Sequence, residues 1–321
     1  MANTPDPALL ASASTGLTSH PARQLRKNIV RDRYLLAMIA IPLAYFIIFK
    51  YIPMYGLTIA FKEFNVRAGI LGSPWVGFKW VAKFIDDPVF WQAVKNTAIL
   101  SLLHIVVGTP PPIILAILLN EVRNSGYKRL IQSGTYLPHF ISMVVVAGMI
   151  VNFTSSDGLI NQAVRFFGGE TIQFLSRPQW FRPVFILSNI WQNIGWGSII
   201  YLAAVSNVNP ELYESAVIDG ANRFRQMWHI TLPSIVPVIS IVLILQIGRV
   251  LEVNFQKVLL LYNPGIYKTA DVIQTYVYRR GLLGVQFSYA TAIGMFQSII
   301  GLLLLIIANR VSRSLSESSL W

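Results

Sequence analysis

The chain has 321 residues, 54% of them hydrophobic and only 12% charged, with a net charge of +12 and no cysteine. So little charge does not suit the surface of a soluble domain, and the absence of cysteine excludes disulfides, thiolate metal sites and cysteine nucleophiles. Most of the chain is therefore expected to lie in a bilayer, its basic excess flanking spans beside anionic lipid rather than meeting nucleic acid.

Residues 1–33 are rich in Ala, Ser, Thr and Pro and then basic, with Arg23, Arg26, Lys27, Arg31 and Arg33 close together. They read as a disordered cytoplasmic tail. A secretory signal would have a short apolar core and a small-residue cleavage site. Here the apolar run from Tyr34 continues past Pro53 to about Phe61, which predicts an uncleaved first span with the N-terminus inside. About 20 apolar residues cross the hydrocarbon core as a helix. On that criterion further spans are expected over about 97–119, 134–153, 183–205, 235–253 and 290–308. The predicted fold is an all-α integral membrane protein of six transmembrane helices over 34–309, with a second cytoplasmic tail over 310–321. Lys and Arg are shared equally between the two sides, so orientation rests mainly on the N-terminal cluster and on the loop between the fourth and fifth spans, and parity then puts both termini in the cytoplasm.

Pro42 and Pro53 in the first span and Pro110-Pro111-Pro112 in the second must interrupt helical hydrogen bonding. A membrane permits this only where protein or a wet cavity satisfies the freed groups. A pathway and ordinary structural kinks explain them equally well. In the fourth span Asn189, Gln192, Asn193 and Trp196 recur at helical spacing, and in the fifth Gln246, Arg249 and Glu252 fall three apart. With Gln297 in the sixth they are candidates to line a pathway, since amides and an indole suit sugar hydroxyls and rings, and intramembrane charge is functional by default. The competing readings are interhelical hydrogen bonding for the amides and an Arg249 to Glu252 pair snorkelling to the interface.

Segment 206–237, between the fourth and fifth spans, is polar and helix-prone. Pro210 and Glu211 suit a helix start, Gly220 supplies a turn, and Asn222 can cap a second helix carrying Phe224, Met227, Trp228 and Ile230. Thr231-Leu232-Pro233 is expected to end that helix. Glu214-Ser215-Ala216, then Gly220, Ile230 and Leu232-Pro233 at their spacings, resembles the EAA loop of permease subunits from ATP-binding-cassette importers, with Ser215 standing where that family usually has Ala. The flanking WQNIGWGSIIYLAAV and LLLYNPGIYKTADVIQTYVYRRGLL resemble its oligosaccharide and polysaccharide branch, and the likeness covers roughly residues 34–310.

That resemblance implies a cytoplasmic coupling helix seated in a cleft of an ATPase subunit. Phe224, Met227 and Trp228 would form its knob, Glu214, Asp219, Arg223 and Arg225 its charged contacts, and Gly220 the pivot of the lever. It also implies a second, different permease chain, two ATPases carrying ATP and Mg, an extracytoplasmic solute-binding protein, and a substrate path lined by the later spans. Aromatic and basic residues share the predicted outer segments: Trp75, Lys79, Trp80 and Lys83, then Trp180 and Arg182, then Tyr262, Tyr267, Lys268, Tyr276, Tyr278, Arg279 and Arg280. An interfacial belt explains many of them; docking of the binding protein is the alternative. The basic excess there, with Arg249 in the path, points to an acidic oligosaccharide, a uronate such as alginate. The chain has no phosphate-binding G-x-x-x-x-G-K-[ST] loop and no catalytic signature, and its four His (20, 104, 139 and 229) lack metal-ligand spacing. It is thus expected to bind no cofactor and to be no enzyme. The rival expectation is an ATP-independent channel or proton-coupled carrier.

Overall fold

The computed structural model describes residues 31–316; most of the two expected tails lies outside the described residues. Those residues are almost entirely helical, with a single antiparallel bridge between Lys62 and Trp75. Among them, Arg33–Phe61, Pro88–Glu121, Met143–Phe166, Arg223–Gly248 and Phe287–Val311 are long and apolar enough to cross a membrane. The fourth expected span falls on a 29-residue helix, Pro178–Ser206, long enough but made less apolar by Arg182 and its amides.

The chain divides after Thr58 into two compact units. In the first, α1 (Arg33–Phe46) contains Pro42 and runs into a π-helical turn, Ile47–Tyr51, just before Pro53. There the Ile52 N–H reaches back five residues to the Ile47 carbonyl.

The second unit opens with α2 (Lys79–Ile85) and α3 (Pro88–Leu103). Asp87 caps α3 by accepting from the Val89 N–H at 2.8 Å. A second π-helical turn, His104–Gly108, joins α3 to α4 (Pro110–Glu121). The three prolines therefore occupy the first turn of α4, where a helix needs no N–H from them. The interruption expected in the second span is a change of helical pitch, not a gap.

After α5 (Ser125–Tyr136) comes a 3₁₀ turn at Leu137–Phe140, then α6 (Met143–Thr154) and α7 (Leu159–Phe166). The third apolar helix thus starts at Met143 rather than near Gly134, because Pro138 breaks the chain and Ser142 caps the new start through its hydroxyl. α8 (Pro178–Ser206) leads to α9 (Pro210–Ile218) and α10 (Arg223–Gln226), followed by a third π-helical turn, Met227–Thr231, and α11 (Leu232–Gly248).

Two sequence expectations need correcting here. Thr231-Leu232-Pro233 does not end the elbow's second helix: helical backbone runs unbroken from Arg223 to Gly248, because the wide turn, with Leu232 N–H on the Met227 carbonyl, absorbs the bond that Pro233 cannot make. The helix also stops before Arg249, so Arg249 and Glu252 lie in a turn closed by the Glu252 N–H on the Arg249 carbonyl, not on a helix face with Gln246. Beyond them come α12 (Phe255–Leu261), α13 (Ile273–Val277) and α14 (Phe287–Ser316).

α8 packs on α4, α5 and α11, while α14 lies along α11 and α2. The contact between α8 and α5 is tight: a Cβ on Gly195 would stand 2.2 Å from the Thr135 carbonyl oxygen. One buried cluster joins Leu100, Val146, Ile150, Phe181, Phe185 and Val258; another joins Phe84, Phe90, Leu251, Tyr276, Tyr289 and Ile293. The stretch from α12 to α14 is tied to α3 by polar groups. Asn96 Nδ2 donates to the Asp271 carbonyl at 2.9 Å, and Arg279 grips the Asp271 carboxylate with two bonds of 2.7 and 2.6 Å.

Candidate functional site

A cavity of about 580 Å³ opens between α3, α4, α8 and α11. The widened turn at the end of α3 brings His104 to it, and Gly108 leaves the room, since a Cβ there would come within 2.9 Å of His104 Nδ1. Asn189 donates to His104 Nδ1 at 3.0 Å. Asn193 donates in turn to the Asn189 carbonyl and side-chain oxygens at 3.0 and 3.1 Å, and accepts from His139 Nδ1 at 3.1 Å. On the facing wall Thr109 donates to Gln246 at 3.0 Å. Arg249 and Glu252 complete the polar lining; both are exposed, and they form no ion pair with each other. The polar lining is thus a set of amides and hydroxyls with the His104 imidazole and, among the described residues, one free cation and one free carboxylate. Such groups can turn from each other to sugar hydroxyls at little cost, because each exchanges one hydrogen bond for another.

Of the residues singled out in the sequence, Asn189, Asn193, Gln246, Arg249 and Glu252 border this cavity. Gln192, Trp196 and Gln297 do not. Gln192 is buried with its Oε1 unpartnered. Trp196 stacks on His139 with ring centroids 4.6 Å apart and planes 2° from parallel. Gln297 donates to the Leu251 carbonyl at 2.7 Å and faces a separate groove between α11 and α14. The sequence pattern missed His104 and Thr109, which line the cavity, and His139, which bonds Asn193 without itself lining it; none has a motif, and tertiary packing alone brings them there.

Behind the lining sits Lys257, on α12 just after the cavity residues Val253 and Asn254. It is fully buried, its Nζ has no hydrogen-bond partner, and it lies 5.5 Å from the centre of the Phe185 ring, itself part of the cavity wall. Burial lowers the Lys257 ammonium to about 7.

The second feature is the elbow. Asn209 caps α9 by accepting from the Glu211 N–H, and Gly220 follows with φ +72°. The Gly220 and Ala221 N–H groups close on the Val217 and Ala216 carbonyls, a left-handed glycine C-cap. Asn222 then caps α10 through the Arg225 N–H at 2.9 Å, and Tyr213 shares a 2.9 Å hydrogen bond with Thr231 that ties the two arms. Phe224 and Trp228 are exposed, as is Ile218, which the sequence reading did not assign to the knob and which is the most exposed of the three at 86%. Met227, Ala216 and Leu232 are half-buried; Glu214, Ser215, Asp219, Arg225 and Pro233 are exposed. Arg223 pairs with Glu121 at the end of α4, so the elbow is fastened to a cavity-lining helix.

Many of the aromatic and basic residues of segments 62–95 and 257–285 serve each other. Lys62 lies over Trp75, Lys79 and Lys83 over Trp80, and Arg279 over Tyr267. No group of three or more His, Asp or Glu among the described residues is placed to hold a metal ion.

The chain is similar to known proteins along most of its length. The chain is 46% identical over 300 residues to the polygalacturonan/rhamnogalacturonan transport system permease protein YteP of Bacillus subtilis (strain 168), covering 93% of this chain and 94% of that protein. It is 43% identical to protein LplB of the same organism, over 91% of this chain and 92% of that one. Among solved structures, a chain from a bacterial alginate ABC transporter in complex with its alginate pentasaccharide-bound periplasmic protein superposes with a TM-score of 0.86 at 43% identity, covering 92% of this chain and all of that one. Residues 108–317, from the end of the widened turn through the cavity and the elbow to α14, match the family described as binding-protein-dependent transport system inner membrane component, and the chain belongs to that family.

Proposed function

We propose that this chain is a six-span permease subunit forming half of the translocation path of an ATP-driven importer for acidic oligosaccharides. Pro178–Ser206 is the remaining span, both termini and the elbow are cytoplasmic, and the described cavity is the part of the path that this subunit contributes. A second, different permease supplies the other half, two ATPases carrying ATP and Mg drive the cycle, and a solute-binding protein delivers the sugar from outside. The observation that carries the reading is the pairing of two features in one chain: a cavity lined by amides and an unpaired Arg249, and an elbow that presents apolar side chains while gripping α4 through Arg223 and Glu121. The relatives support the substrate class, since one is named for polygalacturonan and rhamnogalacturonan and one solved neighbour for alginate, all of them acidic chains.

Mechanistically, the ATPases change the free energy of the two access states by binding them unequally. The elbow hands that difference to α4, and the cavity wall moves with it. Proteoliposomes holding the whole importer test this. ATP-dependent uptake of oligogalacturonate that requires the binding protein, and exceeds uptake of a neutral xylo-oligosaccharide of equal length, is the expected result. Flux without any ATPase would overturn it in favour of a channel or proton-coupled carrier. A single cysteine at Arg225 tests orientation: R225C should react with an impermeant thiol reagent only in inverted vesicles, and the bound ATPase should block it.

A further inference from the structure

Lys257 is the one buried cation that neither the fold nor the cavity lining accounts for. Among the described residues no carboxylate lies within ion-pair distance of its Nζ, and no hydrogen-bond acceptor meets it. Its Nζ lies over the face of Phe185, a residue of the cavity lining. A buried ammonium without partners costs several kcal/mol relative to an apolar side chain of the same length, a cost that a merely structural position has no reason to carry.

We infer that Lys257 is a specificity-determining residue for the carboxylate of the transported sugar, waiting behind Phe185 until a uronate enters the cavity and the ring turns aside. The inference rests on the acidic-oligosaccharide reading and assigns it a particular cation. A carboxylate brought to the Phe185 wall would give Nζ the acceptors it lacks. A neutral sugar would leave it unpaired, so discrimination comes as much from rejecting the wrong solute as from holding the right one. Arg249, exposed on the cavity lining, can attract the acid but loses less when a neutral solute takes its place, because it stays in contact with water.

The test uses the complete importer in proteoliposomes, comparing uptake of trigalacturonate with uptake of its methyl ester, which removes the charge and keeps the sugar. The quantity read is the acid-to-ester ratio in each variant divided by that of the wild type, so that selection by the binding protein cancels. K257M should lower the ratio about tenfold, the scale of one charge-assisted hydrogen bond, while the Tm of the assembled complex stays level or rises. K257R should keep most of the ratio. An unchanged ratio in K257M overturns the inference and leaves the importer reading standing. So does an equal loss of acid and ester uptake with a lowered Tm, which would mark Lys257 as structural. A wild-type importer that takes up neither compound, or shows no preference for the acid, removes the acidic-substrate reading and this inference with it.

Discussion

Gly220 makes a demand that is conformational and not steric, and a graded series of substitutions separates the two. Its φ is +72°, and a Cβ built on it meets nothing within 4 Å. A side chain therefore has room, and the cost is that of holding an L-residue in left-handed backbone, about 1–2 kcal/mol. A β-branched residue pays at least the upper figure, and 2 kcal/mol is a shift of about thirtyfold in the population that keeps the bend. Once φ relaxes to negative values the chain after Ile218 leaves in another direction. The Ala221 N–H then loses the Ala216 carbonyl, and the Tyr213 to Thr231 tie between the two arms is strained. Coupled transport should fall in the order wild type, G220N, G220A, G220V, with asparagine near wild type because it tolerates this conformation. The complex itself should assemble normally, because Gly220 is exposed and touches no core residue. Sugar uptake and binding-protein-stimulated ATP hydrolysis are measured side by side in proteoliposomes. Full uptake by G220V, or equal damage by G220N and G220V, would refute the pivot.

Gly195 poses the opposite case. Its Cβ would enter the Thr135 carbonyl about 1 Å inside contact distance, so G195A should cost about 1–3 kcal/mol and lower the Tm of the complex, whereas an unchanged Tm would mean that α5 yields freely. For Glu121 and Arg223, both partly exposed, the pair itself contributes under about 1 kcal/mol to stability; each charge reversal should nonetheless reduce coupled uptake several-fold, and E121R/R223E together should restore it, while failure of the double swap would show that the two act separately. Asp87 governs acid tolerance: burial works to raise its carboxyl, but hydrogen bonds from Tyr276, the Val89 N–H and Tyr289, with the nearby Arg280, outweigh that and hold it below the usual range. Its stabilisation is therefore present above the unfolded value and is lost as pH falls through the lower folded one, so D87N should flatten the decline of Tm on acidification, and an unaltered acid profile would count against it.

The apolar helices were legible because bilayer thickness imposes their length, and the elbow because Pro210, Gly220 and Asn222 are local signals whose effect needs no distant partner. The cavity face was legible only in part. Along α8 successive residues turn by about 100°, and the face that opens on the cavity carries Ile190, Ile194 and Tyr201 beside Asn189 and Asn193. Choosing amides and an aromatic at helical spacing placed the stripe too far round, so that Gln192 and Trp196 fell beyond its edge. Neighbours on several sides of α8 decide which arc is open, and no periodicity encodes that. Lys257 was hidden for a similar reason: on its own a lysine in a connecting segment reads as solvated, and it is tertiary packing, with α12 against α6 and the Phe185 ring of α8 beside Nζ, that accompanies its burial. The break expected at Pro233 failed because a wide turn is a way of keeping a proline that the sequence does not announce.

Those wide turns have a mechanical consequence. In Ile47–Tyr51, His104–Gly108 and Met227–Thr231 the backbone loosens its register immediately upstream of a proline, so the bond that usually resists bending has already been surrendered there. Each is a compliant joint preset in the ground state. α8 and α14, at 29 and 30 residues, run without such a turn and are stiffer by comparison. Within the second unit the compliance is thus distributed unevenly, with one joint at the end of the elbow, another immediately before the prolines of α4, and a further wide turn, Tyr278–Leu283, that precedes no proline. On the proposed coupling, a push on the elbow would meet a hinge before it met a rod, and strain delivered there would be absorbed at Met227–Thr231 and at His104–Gly108, the second of which holds His104 against the cavity.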